Sequence, residues 1–254
     1  MITRFYAWFK KHLKPLSADR RKEVVEEITP TASPGFDFFL LVVLSCSIAT
    51  MGLITDSAAV IIGAMLLAPL MSPIIGIGLA SITGNASLLQ KSISALLRGA
   101  VLAIGLAALV TLINNQIPFI AMQELPKEVL SRTHPTPIDL AIALAGGIAA
   151  AYALTQPALS AALPGVAIAT ALMPPLCTVG IGLAMSQWDV AGGAALLFLT
   201  NAVTIAFASV LVFFIRGFAR GKLLLKDSRL PQGLVLSASL TALLLIPLTY
   251  YSVQ

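Results

Sequence analysis

Charge is scarce in this sequence. Of its 254 residues 11% are charged and 58% hydrophobic, with a mean hydropathy of +0.94. Soluble domains ordinarily carry about 25% charged residues. The deficit excludes an ordinary water-soluble domain and places most of the chain in lipid, where charged groups are costly. Cysteine is nearly missing as well. Cys46 and Cys177 both fall in apolar segments; they are too few and too buried for a disulfide framework and are expected to act as small apolar side chains. The two histidines, His12 and His134, fall in separate loops, so no metal cluster is expected. No phosphate-binding loop, paired-histidine motif or Gly-x-Ser-x-Gly elbow occurs, and no nucleophile–base pair is visible. An enzyme and a cofactor are therefore not expected. Nor is a cleavable signal peptide, because the first apolar run starts only near Phe36, after a long charged arm.

What is present begins with that arm, residues 1–33, ahead of a membrane domain over 34–254. Phe5, Trp8, Phe9 and Leu13 share one helical face, with Arg4, Lys10, Lys11 and Lys14 around them, as in a helix lying among lipid headgroups. Ser17 then opens a second short helix with Asp19 early in it, as a helix N-terminus prefers. An anionic inner leaflet explains the basic arm better than nucleic acid does.

Seven apolar runs follow, each near the roughly 20 residues needed to cross a bilayer. They are Phe36–Ile54, Ser57–Thr83, Ala95–Leu112, Ile138–Leu154, Ser160–Met185, Val190–Ile215 and Gly233–Tyr250. The charge bias sets their orientation. Arg4, Lys10, Lys11, Lys14, Arg20, Arg21 and Lys22 precede the first run. Lys91 and Arg98 lie between the second and third, and Arg216, Arg220, Lys222, Lys226 and Arg229 follow the sixth. Only Lys127 and Arg132 fall on the other side. This predicts a cytoplasmic N-terminus and an outer C-terminus, with Tyr250 and Tyr251 in an interfacial aromatic belt.

Two of the runs look like copies of one device. Asp56–Ala80 and Ser160–Ala184 each carry mid-span prolines and close on Gly-Ile-Gly-Leu-Ala, 104 positions apart. Their prolines match better with a slip of one. Asp37 and Asp139 open the first and fourth runs, where an N-cap is wanted. Three runs per unit would reverse the second unit, giving inverted repeats over 34–115 and 136–216, with an extra helix over 232–252. The expected fold is thus an all-α polytopic membrane protein: two inverted three-helix repeats with proline-broken second helices, a seventh helix and an amphipathic arm.

A proline inside a helix removes a backbone hydrogen bond. In hydrocarbon the freed groups need partners, so such breaks persist only against protein or a wet cavity. The first device offers Gly63, Pro69, Ser72, Pro73 and Gly76, and the second Thr170, Pro174, Pro175, Thr178 and Gly180. Asn201 lies mid-way along the sixth run, and Asp56 with Ser57 stands at the mouth of the first device. No charged residue lies deep in a run. A small solute or ion is the expected partner, an anion or zwitterion being favoured because no buried carboxylate awaits a cation.

The strings around these residues resemble a known group. Phe-Asp-Phe-Phe-Leu-Leu at Asp37, the run from Ile48 to Ile74, Leu-Met-Pro-Pro-Leu at 172–176 and Leu-Leu-Phe-Leu-Thr-Asn at 196–201 are similar to the domain-of-unknown-function family 389. The resemblance covers about Phe36 to Phe214. Many members carry Asn where this chain has Asp56. The resemblance implies a prokaryotic polytopic membrane protein, a possible transporter, and brings no substrate or catalytic residues. The reading favoured is a solute carrier or channel-like protein of the inner membrane, with homo-oligomers expected from small residues such as Gly146, Gly147, Gly192 and Gly193. The alternative is a non-transporting scaffold or sensor acting through the basic arm.

Overall fold

The computed structural model describes residues 15–116, 124–157, 159 and 172–219. Among them all regular structure is helical. The arm before Pro15, Thr170 and the rest of 160–171, and the seventh run lie outside the described residues.

Helix α1 spans Ala18–Thr31, and the Ser17 hydroxyl accepts from the Arg20 amide at 3.2 Å as its N-cap. Its inner face, Val24 and Ile28, is buried against the bundle. Helix α2 spans Phe36–Ile54, the bounds expected from the sequence. Its N-cap is Gly35, without a side-chain bond, and Asp37 sits in the first turn. A Schellman closure ends it: the Ser57 amide reaches Gly52 O at 2.8 Å and the Asp56 amide reaches Leu53 O at 3.3 Å. Asp56 takes the left-handed φ of 54° that this closure needs.

The second run is two helices, α3 at Ala58–Leu67 and α4 at Met71–Thr83, bent by 47° at Ala68–Leu70. Ala68 is driven into extended geometry, ψ 116°, because the residue before a proline avoids the helical region. Helix α5 spans Ala86–Gln116. It is longer at both ends than the apolar run Ala95–Leu112, because its first turns are amphipathic rather than apolar and Asn85 caps them, accepting from the Leu88 amide at 3.1 Å. At 1.5 Å per residue it reaches about 46 Å, beyond the ~30 Å hydrocarbon core.

A short α6, Lys127–Leu130, precedes α7, Pro137–Thr155. The cap of α7 is Thr136, not Asp139: Thr136 and Asp139 form a capping box, with Asp139 Oδ2 accepting from the Thr136 amide at 2.8 Å. Helices α8, Met173–Ala184, and α9, Trp188–Ile215, complete the described chain. Four of these helices (α2, α5, α7 and α9) are long and apolar enough to cross a membrane, and α3 with α4 makes a fifth if the bent pair is one span. Large apolar side chains such as Leu44, Leu66, Val101, Leu109 and Ile142 point outward, as lipid-facing positions do.

The packing is crossed. Helix α4 lies against α5 and α9, while α8 lies against α9 and α5. Gly78 of α4 faces Ala206 O, Ser209 Cβ and the Val210 amide of α9. Gly180 of α8 faces Ile104 O, Ala107 Cβ and the Ala108 amide of α5. The glycines are 102 positions apart and so is each pair of facing atoms. A methyl group at Gly180 would stand 2.5 Å from Ile104 O, so only glycine lets the helices approach this closely. These matching crossings are 102 positions apart, whereas the repeated Gly-Ile-Gly-Leu-Ala strings are 104 apart.

The glycines expected at an oligomer face divide. Gly147 abuts Ile205 and Ala208 within the chain and Gly193 abuts Thr133, whereas Gly192 has open space beside it.

Candidate functional site

The 102-residue register brings out a shared motif. Leu70-Met71-Ser72-Pro73 and Leu172-Met173-Pro174-Pro175 occupy the same four places at the starts of α4 and α8. Leu70 and Leu172 are the N-caps and both keep helical dihedrals. These starts lie in the main apolar core, which contains Leu70, Ile74, Leu172, Met173 and Leu176.

The placement changes what the prolines do. The first four amides of a helix have no intrahelical acceptor. Pro73 takes the third helical position of α4, and Pro174 and Pro175 the second and third of α8. They therefore cost no helical bond. Helix α8 begins at Met173 with Pro174–Pro175 in its first turn, and the residues that lead into it lie outside the described ones. Pro69 does interrupt, yet the carbonyl it would have served, Met65 O, accepts from the Ala68 amide at 3.3 Å. The expected stranded carbonyl at that position has a partner.

Access differs between the two starts. Pro69 and Ser72 are half-buried and line a groove of about 450 Å³. Pro30, Thr31, Ser33 and Gly35 from the end of α1, and Asp37, Phe38 and Leu41 from α2, complete it. Pro174, Pro175, Thr178 and Gly180 are all buried. Thr178 Oγ1 there has no hydrogen-bond partner, and nor do Asn201 Oδ1 and Thr204 Oγ1 on the adjoining α9. An unpartnered buried polar atom costs about 1–3 kcal/mol, so these three are the costly polar groups of the two packed helices. Thr204 stands one turn beyond Asn201 on the same helix.

Other expected residues lie elsewhere. Gly63 is exposed with open space beside it. Gly76 is a packing contact, since a methyl there would meet Ser92 Oγ at 2.5 Å and Ala32 Cβ at 2.6 Å. Ser57 is the N-cap of α3 without a side-chain bond. Asp56 is exposed, and its Oδ1 accepts from the Glu128 amide of α6 at 2.8 Å. It thus joins the end of α2 to the loop before α7. A second groove, about 560 Å³, runs along the outer face of α5 between Ala86 and Arg98, away from both starts.

At the opposite end from α6, arginines close the bundle. Arg20 donates to Leu154 O at 3.3 Å near the end of α7, and Arg21 donates to Gly217 O just past α9. Glu23 foremost, with Glu27, raises the Arg20 pKa above its ordinary value, against burial that lowers it. The Arg216 guanidinium stacks on Tyr152 at 5.5 Å.

Several helices long and apolar enough to cross a bilayer define a multi-pass membrane protein. The chain belongs to the family described as "Domain of unknown function (DUF389)", whose model matches residues 65–207. It is also similar to an uncharacterized protein of Methanocaldococcus jannaschii, with 28% identity over 199 residues. The match takes in 78% of this chain and 60% of that relative, so the chain spans well under the relative's full length. No solved structure matches significantly.

Proposed function

We propose that this is a carrier or channel-like protein of the prokaryotic inner membrane that passes a small solute between its two halves, without catalysis. The observation that carries the reading is the pair of Leu-Met-x-Pro helix starts buried inside the bundle, one open to a groove at Ser72 and one beside unpartnered Thr178. Paired interrupted helices in the two halves of a membrane protein are a recurring pointer to a transport site.

In this reading α2 to α5 and α7 to α9 are inverted three-helix units. Three contacts support the inversion. Helix α2 ends at α6 through Asp56, α7 ends at α1 through Leu154, and the Gly78 and Gly180 crossings are reciprocal. The cytoplasmic N-terminus rests on the distribution of basic residues and the outer C-terminus on the seventh run. Self-association through the outward face that carries Gly192 belongs to the same proposal.

The solute preference moves from that expected from sequence. Helix N-termini attract anions through free amides, but Pro73, Pro174 and Pro175 have none. Of the unpartnered buried atoms, Asn201 Oδ1 only accepts, and the Thr178 and Thr204 hydroxyls can accept or donate. An uncharged solute that donates hydrogen bonds fits better than an anion.

The test is osmotic shrinkage of proteoliposomes challenged with glycerol, urea or formate. Faster entry of glycerol or urea than in protein-free vesicles is expected, and Ser72→Leu and Asn201→Leu should reduce it severalfold. Entry equal to protein-free vesicles for every solute, or unchanged flux in both variants, overturns the reading. The scaffold alternative is favoured only by the docking of α1 onto α4 and α7. It would prevail if deleting residues 1–29 abolished the cellular phenotype of a protein that moves no solute.

A further inference from the structure

The two cysteines, 131 positions apart, meet. Cys46 is mid-way along α2, Cys177 is in the second turn of α8, and their sulfurs are 3.6 Å apart. Both are free thiols and both are buried. Cys46 donates to Ala103 O of α5 at 3.1 Å, and Thr50 Oγ1 lies 3.8 Å from its sulfur. Cys177 points at Cys46, with Cys46 O 3.8 Å from its sulfur. We propose that Cys46 and Cys177 are a reversible disulfide site that ties α2 of the first half to α8 of the second.

Geometry and chemistry agree on this product. A disulfide needs a sulfur–sulfur distance of about 2.05 Å, so the pair must close by about 1.5 Å along a line on which the sulfurs already touch. The product is neutral and leaves no ion in the apolar core. A soft metal cation would require both thiols to lose their protons and would have no third ligand there. Among the described residues no set of three His, Cys, Asp or Glu is grouped to hold a metal.

The reaction breaks two S–H bonds and forms one S–S bond, and two electrons and two protons pass to the oxidant. A lipid-soluble quinone takes both and leaves as the hydroquinone. The inference stands on the thiol contact and not on the transport reading.

Dithiodipyridine, an apolar aromatic disulfide, tests it. The purified full chain in vesicles should release two thiopyridones per chain and retain no adduct. One thiol displaces the first thiopyridone from the reagent, and its neighbour displaces the second from the mixed disulfide. After unfolding, neither cysteine should alkylate until reductant is added, and a digest should yield one peptide pair joining Cys46 to Cys177. Cys46→Ser and Cys177→Ser should each give no cross-link. Two alkylatable thiols in the treated wild type, two retained adducts, or a covalent dimer on a non-reducing gel overturns the proposal.

Discussion

At the start of α4, the second helical residue is Ser72, half-buried on a groove; at the start of α8 it is Pro174, sealed in the core. The two starts share a backbone solution and differ in one side chain. Serine keeps an amide and a hydroxyl that can face a ligand, and proline keeps neither. The polar groups of the second half are displaced one turn into the helix, to Thr178, and across to Asn201 and Thr204 of α9. One motif can thus stand on an accessible groove at one helix start and be sealed in the core at the other.

That asymmetry can be attacked through the crossings first. Gly180→Ala sets a methyl against the Ile104 carbonyl at 2.5 Å, while Gly78→Ala meets a side-chain carbon, Ser209 Cβ, at 2.6 Å and its nearest carbonyl at 3.1 Å. Overpacking costs about 1–3 kcal/mol, and the loss should fall at the upper end for Gly180→Ala and the lower end for Gly78→Ala, by chemical denaturation in detergent. Equal losses would break the distinction.

Next come the buried hydroxyls. Thr178→Val deletes an unpartnered oxygen at constant shape and should raise stability by about 1 kcal/mol. Ser72→Ala, at the groove, should change it by less than about 0.5 kcal/mol. A lowered melting temperature in Thr178→Val would show that this hydroxyl is engaged, and would erase the contrast.

The smallest expected difference lies at the helix ends. Asp56 and Ser186 both adopt left-handed φ, 54° and 57°. Ser186→Gly relieves a strain of about 1 kcal/mol and should stabilise by nearly that much. Asp56→Gly relieves the same strain but loses the bond to Glu128, so its stability should stay near that of the parent.

Much of the scaffold could be read before any coordinates. Pro34-Gly35 and Thr55-Asp56 punctuate α2, so its bounds came out residue for residue. The start of α5 did not, because hydropathy registers apolar runs and not an amphipathic turn capped by Asn85. The spacing of the matching helix crossings was not legible for a different reason. Identical Gly-Ile-Gly-Leu-Ala strings suggest 104, but helix packing answers to which glycine faces a neighbouring backbone, and that pairs Gly78 with Gly180. The acids at 37 and 139 looked like caps because a carboxylate one to three residues into a helix leaves nearly the same pattern as a cap. The meeting of Cys46 with Cys177 had no sequence signal. Contacts between halves arise only once the helices cross.

The arginines of α1 bear on how far the chain can be shortened. Helices α7 and α9 finish with carbonyls that their own turns cannot serve, and Arg20 and Arg21 supply protons to that rim. Trimming the protein to its apolar part at residue 34 would take away the guanidinium donors that those oxygens accept from. The leading segment is in this sense the last course of the masonry, and a minimal fragment has to include it.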